Sequence, residues 1–456
     1  MNYARGPDEI SSTRRLAQWV MRFEWLWILL IAPFLLFPGS MRFLALLAVP
    51  ILWFGRKVAW GRFVDRTPLD APLVLLMLMV LVSLYATFDI AYSLPKVTGV
   101  ILGVAVYYVV IAFARDRKTW TLMVAAFLLA ALGVAGAGLL GTQWIHKFAL
   151  FDPILARLPA RITGLSGAAE GFQPNEVAGA LLWATPLACA LASVAVFAAG
   201  TIGRSLGRAR QVILLVATVV GSVFLVGVLV LTQSRGGWIA AGLILPLTLL
   251  VLLQGRLRWI ILIMGVIALI AAAVWIGLAH PHVLDPVIVG PEVDPGRGTS
   301  LENLSVRFEI WSRAIYGIED FPLTGMGMNA FRRVVPILYP LFSIGPEVDI
   351  AHAHNEFLQA GVDLGIPGLI AFLSIHLTAF SMLASTWRRR GLLPFPEPII
   401  RALLLGLGAG LAAHLLFGVT DAVALGAKPG VLWWILLGLI ASLYRRIPQT
   451  ATQMGI

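Results

Sequence analysis

The sequence predicts an all-α polytopic membrane protein with about 12 transmembrane helices. Three observations lead there. Hydrophobic residues make up 59% of the 456 and charged residues only 12%, with a mean hydropathy of +0.89; no soluble domain of this size has that balance. Apolar stretches approach the roughly 20 residues that cross a hydrocarbon core about 30 Å thick. The 34 lysines and arginines cluster in alternate loops, as expected when positive loops stay inside. The formal charge of +11 therefore reports topology, and nucleic acid is not among the expected partners.

Taken in order, the apolar windows lie near 24–38, 42–54, 71–88, 97–114, 119–140, 176–199, 211–232, 237–254, 259–279, 364–386, 402–420 and 429–444. The first two are short and separated only by "PGS", so a tilted pair or re-entrant hairpin is as compatible as two spans. The first reads as a signal anchor, since no small-residue cleavage site leads into a soluble domain. Both termini are expected inside. Cys189 is the single cysteine and sits in an apolar run, so no disulfide framework is expected.

Two loops are long, and both are expected outside. One runs from about 142 to 175, within a first part (1–279) that holds spans one to nine. The other fills 280–363 and precedes the last three spans in 364–456. Loops this long in a compact protein usually carry function. In the second, Leu304, Phe308, Trp311, Ile315 and Ile318 recur at helical spacing and predict a helix with one apolar face. A shorter helix is expected over "AFRRVVPILYPLF", interrupted by Pro336.

Polar chemistry collects at the outer rim. The stretch "AHAHNEFLQAGVDLGIPG" begins at Ala351 and gathers His352, His354, Asn355 and Glu356 just ahead of a span. Imidazole takes a proton near neutral pH and can serve as a general base. A metal site is the competing reading of His-x-His with Asp349 and Glu356 nearby, but it needs three or four converging ligands, and no metal is expected. Arg235, in "LTQSRGGWIAAGL", stands at a turn whose glycines permit close approach, and a guanidinium suits bidentate capture of phosphate. Arg161 sits beside glycine in the first outer loop, and Arg307, Arg313, Arg332 and Arg333 lie in the second. His376 and His414 fall in spans and read as buried hydrogen-bonding groups. His280 and His282 lie where a span exits, and His146 has nothing diagnostic beside it.

Four pieces in order, "RITGLSGAAEGFQPNEVAG", "SRGGW", "RFEIWSRAIYGIEDFPLTGMGMNAF" and "HAHNEFLQAGVDLGIPG", resemble the O-antigen ligase and polymerase superfamily of bacterial envelope glycosyltransferases. The resemblance covers about residues 160–370. It implies a GT-C-like architecture, with the large helical periplasmic loop between spans nine and ten, in the bacterial inner membrane. It also implies metal-independent, inverting transfer of a glycan from undecaprenyl diphosphate, with neither cofactor nor nucleotide sugar. In the ligase branch the acceptor is lipid A–core and the product is lipopolysaccharide.

Carried onto these residues, the resemblance makes Arg235 and Arg161 the groups that hold the diphosphate and stabilise charge on the leaving group. It makes His354 the base, with His352 the alternative that His-x-His leaves open. Asn355 would orient base or acceptor. Arg307 fits an R-x-x-x-W element, and Gly325 and Gly327 fit a turn whose role is backbone shape. The ligase is the expected activity, while a polymerase and a protein O-oligosaccharyltransferase of the same superfamily remain open; the protein-modifying branch tends to be longer at its C-terminus. A lipid or solute transporter is the reading from another class. It would place its essential polar groups near the bilayer midplane, whereas here they gather at the rim.

Overall fold

The computed structural model describes residues 12–37, 39, 42–144, 147–162, 171–200, 207–253, 255, 256, 258–260, 263–265, 267, 304–342 and 349–447. Among these the regular secondary structure is helical, apart from one isolated bridge between Thr142 and Phe172. The first helices are α1 (Ser12–Met21), α2 (Glu24–Leu36), α3 (Arg42–Trp60), α4 (Asp70–Ala86), α5 (Ile90–Phe113) and α6 (Arg117–Gly141). The short α7 (Asp152–Leu155) lies in the first long loop, followed by α8 (Pro174–Leu182), α9 (Thr185–Phe197), α10 (Arg208–Leu231) and α11 (Arg235–Leu252). The second long loop supplies α12 (Leu304–Asp320) and α13 (Phe331–Leu338), and the chain continues through α14 (Glu356–Arg388), α15 (Glu397–Gly418) and α16 (Val431–Tyr444).

Six of these helices, α5, α6, α10, α11, α14 and α15, are each long and apolar enough to cross a membrane, and the count reaches eight if two bent pairs each act as one span. The protein is thus a polytopic membrane protein. The higher expected number rests on shorter helices and on the window 259–279, most of which lies outside the described residues. One bent pair is α1 with α2 (59°), and the other is α8 with α9 (47°). The second lies in the expected window 176–199, which the structure divides into two helices. Pro186 in the first turn of α9 has no N–H to bond back to the Leu182 carbonyl and its ring crowds that group, so the helix breaks at Trp183 and Ala184.

Helix starts are set by side-chain caps that satisfy otherwise unpaired backbone donors. Asp89 accepts from the amides of Ala91 and Tyr92 ahead of α5. Asp116 and Thr119 form a reciprocal capping box ahead of α6. Ser234 caps α11 and Asn355 caps α14. The centre of the bundle is α5, with 72% of its apolar window buried, against 28% for α6 and α11; the latter two turn most of their surface outward, where lipid would lie. Close approach at the centre needs small residues. A Cβ placed on Gly103 would lie 1.9 Å from the Trp434 indole nitrogen, and one on Gly438 would lie 2.8 Å from Val110, so each of α5 and α16 seats a side chain over a glycine of the other.

The second loop has its own small core, built from Val306, Ile310, Ala314, Met326, Phe331, Val335, Ile350, Ala353 and Val362. Helix α12 is present where expected, but its buried face is a correction. Val306, Ile310 and Ala314 point inward, while Phe308 and Ile315 are 61% and 43% exposed. Two stripes on this helix satisfy the helical period, and the one with Ala314 and Gly317 wins because small side chains admit the turn at Met326. The loop is stitched to α14 by two backbone bonds of 2.7 Å, from Met326 to Val362 and from Ile366 to Pro322. At that point α14 kinks at Gly365 (φ 69°, ψ −179°), a conformation essentially restricted to glycine. Gly325, at φ +66°, passes so close that an added Cβ would lie 2.6 Å from the 363–365 backbone.

Candidate active site

The segment 349–354 threads through the loop core before α14 begins, and its side chains converge on a residue from elsewhere. Ile350 and Ala353 are buried and anchor the segment. The Ala353 amide donates to Gln359 Oε1 (2.7 Å), and Gln359 Nε2 donates in turn to Asp363 (2.9 Å). His354 adopts φ 47°, an uncommon left-handed conformation for a residue with a side chain, costing of order 1–3 kcal/mol. Three contacts enforce it: the His354 amide donates to His352 Nδ1 (3.2 Å), the Trp311 indole donates to the His354 carbonyl (3.2 Å), and His354 Nδ1 meets Asp421 Oδ1 (3.2 Å).

Asp421 is the centre of the site. It sits three residues beyond the end of α15 and is 2% exposed. Oδ1 receives the His354 ring and the Ala422 amide (2.9 Å); Oδ2 receives Asn175 Nδ2 (2.6 Å) and faces Arg307 Nη2 (3.5 Å). Arg307 also donates to the Thr420 carbonyl. Burial pushes the Asp421 carboxyl up, but the hydrogen bond from His354 first, and then the electrostatic pull of the two imidazoles and of Arg307, outweigh it and hold it well below the usual carboxylate range. It is an anion at any physiological pH.

These bonds assign the ring nitrogens. His352 Nδ1 accepts from a backbone amide, so its proton sits on Nε2, which faces Asp421 Oδ1 at 3.9 Å. Burial first, and then the charges of His354, Lys96 and Arg307, depress this imidazole to about 3 against the pull of Asp421. His352 is therefore neutral, with its acceptor nitrogen occupied. In His354 the carboxylate fixes the proton on Nδ1 and leaves the Nε2 lone pair uncommitted, on a side chain that keeps 13% of its surface exposed. An imidazole whose Nδ1–H is held by a buried carboxylate is oriented to take a proton through Nε2.

His352, His354 and Asp421 also place three ligand-type atoms within 4.8 Å of one another, a spacing that could take a metal ion. The donor set argues against that use. Both carboxylate oxygens and both Nδ1 atoms already have partners, and Arg307 stands where a cation would be repelled. The carboxylates considered from sequence are engaged elsewhere: Asp349 pairs with Arg332, and Glu356 meets His414 Nε2 at 2.9 Å.

The other expected residues divide. Arg307 is in the cluster. Asn355 is beside it with both ends of its amide used, Oδ1 capping α14 and Nδ2 donating to the Val419 carbonyl (2.9 Å). Its hold on His354 acts through the intervening peptide. Arg235 is exposed and makes no hydrogen bond or ion pair to a described residue. Its turn nevertheless abuts the site, since a Cβ on Gly236 would lie 2.6 Å from Thr420 Oγ1. Arg161 is exposed too, and no described contact joins it to the His354 cluster; the "TGLSG" stretch after it, like His146, His280 and His282, lies outside the described residues. His376 and His414 behave as expected, hydrogen-bonded within the bundle to the carbonyls of Phe372 and Gly179. Asp421 and Asn175 were missed in sequence; a carboxylate directly after an apolar span, in "LLFGVTDAV", was the available signal.

A family profile described as O-antigen ligase matches residues 220–373. This segment belongs to the O-antigen ligase family. The ligase-family segment contains Arg235, Arg307, His352, His354 and Asn355, whereas Arg161, Asn175 and Asp421 lie beyond its ends. No curated protein matches the chain. The matched stretch therefore contains the histidine pair, and the carboxylate that contacts it comes from outside that stretch.

Proposed function

We propose that the protein is an O-antigen ligase that transfers a glycan from undecaprenyl diphosphate to lipid A–core on the periplasmic face of the inner membrane, in a GT-C-like framework with both termini in the cytoplasm. The observation that carries this reading is the His354–Asp421 contact, which leaves one uncommitted imidazole nitrogen at the mouth of a basic site. In the reaction, His354 Nε2 takes the proton of the acceptor hydroxyl as its oxygen attacks the anomeric carbon. The bond from that carbon to the diphosphate breaks with its electrons, the configuration inverts, and undecaprenyl diphosphate leaves.

Asp421 stabilises the imidazolium formed at His354 without taking its proton. Arg235, with no competing partner, meets the charge growing on the leaving diphosphate, and Arg161 supports it from the first loop. The α12–α13 layer covers the site, positions the substrates and limits access of water to the donor. The chemistry needs no metal. Purified protein given lipid-linked glycan and, separately, lipid A–core, a second lipid-linked glycan or a pilin-like protein tests the choice of acceptor. Modification of lipid A–core supports the ligase; exclusive use of either of the others assigns the same site to the polymerase or protein-glycosylating branch.

A further inference from the structure

The opposite face of the bundle carries a second basic site. Helix α5 marks the two faces. Lys96, near its start, lies against the 426 turn leading to the active-site rim, and Arg115 follows its far end, about 28 Å away at 1.5 Å per residue. Around Arg115 are two adjoining cavities. One, of about 230 Å³, is lined by Arg62, Arg115, Arg445 and Arg446 with a single carboxylate, Asp65. The other, of about 180 Å³, shares Arg115 and is lined by Arg22 and Glu24 as well as by the apolar wall of Trp25, Trp60, Val109 and Phe113.

The charges around these cavities do not cancel. Buried Arg56 spans two carboxylates of the region, binding Glu24 Oε2 and Asp65 Oδ2 at 2.8 Å each, and a third, Asp116, is exposed and interacts with Arg446. Asp65 Oδ1 is shared by Arg62 (2.7 Å) and Arg445 (3.4 Å). Arg446 donates to the carbonyls of Ala114 and Asp116. Arg115 has no hydrogen-bonding partner among the described residues, and its guanidinium lies 5.6 Å from the Trp60 ring centre. Three more guanidinium groups than carboxylates therefore face one cavity, directly beside an aromatic and aliphatic trough.

Paired in this way, the cavities match a molecule with a phosphate at one end and a hydrocarbon tail at the other. Guanidinium groups grip phosphate oxygens in a bidentate manner, and basic pockets between helices at the inner leaflet select anionic headgroups. A soluble phosphate would use only the arginine cavity; the apolar trough sharing Arg115 gives the neighbouring acyl chain a place. We propose that this face holds an anionic phospholipid, its headgroup phosphate among Arg62, Arg115, Arg445 and Arg446 and its glycerol and first methylenes along Trp25 and Trp60. The lipid bridges α2, α3, α5 and the end of α16, and so ties the N-terminal helices to the core.

Native mass spectrometry of the detergent-purified full chain, titrated with phosphatidylglycerol, phosphatidylcholine or inorganic phosphate, tests the site. Wild type is expected to bind phosphatidylglycerol saturably and in clear preference to phosphatidylcholine. An Arg62→Gln/Arg115→Gln double variant, both positions being exposed, is expected to lose about thirtyfold in that affinity. An Arg208→Gln/Arg210→Gln variant removes the same charge from the exposed start of α10 and is expected to bind as wild type. Equal binding of the two lipids by wild type overturns the proposal without requiring any variant to fold. So do equal losses in both double variants, which indicate diffuse attraction, and full displacement of the lipid by millimolar phosphate, which assigns the cavity to a soluble anion.

Discussion

Replacing Asp421 with asparagine removes one charge and almost no volume from the centre of the site. The consequence follows from its hydrogen bonds. Each carboxylate oxygen receives two donors, His354 Nδ1 and the Ala422 amide on one side, Asn175 Nδ2 and Arg307 Nη2 on the other. An amide must turn its NH₂ toward one of these pairs. Turned to Asn175 and Arg307, it sets donor against donor in a buried place. Turned to His354, it donates to Nδ1 and drives the proton to Nε2, which can then no longer accept one. Either way the base is lost or the site is distorted, and an asparagine behind a catalytic imidazole costs up to about 10⁴-fold in kcat.

We expect Asp421→Asn to lower kcat for glycan transfer by roughly 10²–10⁴-fold, with the donor KM little changed. Losing the charge-assisted bonds also costs stability, about 1.5–3 kcal/mol for each bond, so a lowered melting temperature in detergent should accompany the kinetic loss. The assay is single-turnover transfer from undecaprenyl-diphosphate-linked glycan to lipid A–core, read on a gel, with a melting curve to certify the fold. A folded Asp421→Asn protein that transfers within a factor of about three of wild type refutes the tautomer reasoning, since general-base catalysis is worth at least about 10²-fold.

Other expectations follow from the same geometry. Arg235→Ala should weaken transfer strongly with little loss of stability, because the side chain is exposed and has no partner among the described residues, and Arg235→Lys should recover only part, because an ammonium cannot grip bidentately; a melting temperature that falls with activity would make this arginine structural. His352 is held at about 3 in the fold against an ordinary value near 6.5. The unfolded chain therefore binds its proton first, so this residue's contribution to stability is complete above about pH 6.5 and is lost as pH falls toward 3. Melting temperatures between pH 7 and 4 should decline less steeply in His352→Gln; an identical slope contradicts the assignment. Gly365→Ala forces a side chain into a left-handed position 2.8 Å from the Pro322 carbonyl and the Leu323 backbone, costing at least about 1–2 kcal/mol, which a melting curve will show as a clear loss.

Much of this was legible in the sequence because a membrane imposes a simple code. Apolar windows located nearly every described helix, and the rarity of polar residues made "AHAHNEF" conspicuous. Reading failed where the determinant was not local. The break between α8 and α9 turns on a single Pro186 inside an otherwise uniform apolar run. The buried face of α12 was misread because Phe308 and Ile315 look like core residues, while Ala314 and Gly317 were chosen by the shape of the Met326 turn. Asp421 is the clearest instance: 67 residues separate it from His354, and only the return of α15 to the same rim of the bundle brings the two together. The histidines drew attention to this rim; which ring nitrogen meets a carboxylate depended on that return.

The most direct test of the central claim compares wild type, His354→Ala and His352→Ala in one transfer assay, with lipid-linked glycan and lipid A–core in EDTA. The geometry predicts that wild type transfers in chelator, that folded His354→Ala is inactive, and that His352→Ala keeps substantial activity because its acceptor nitrogen serves only the His354 amide. Normal transfer by His354→Ala, or wild-type activity that vanishes in EDTA and returns with a divalent cation, would contradict the metal-free histidine base.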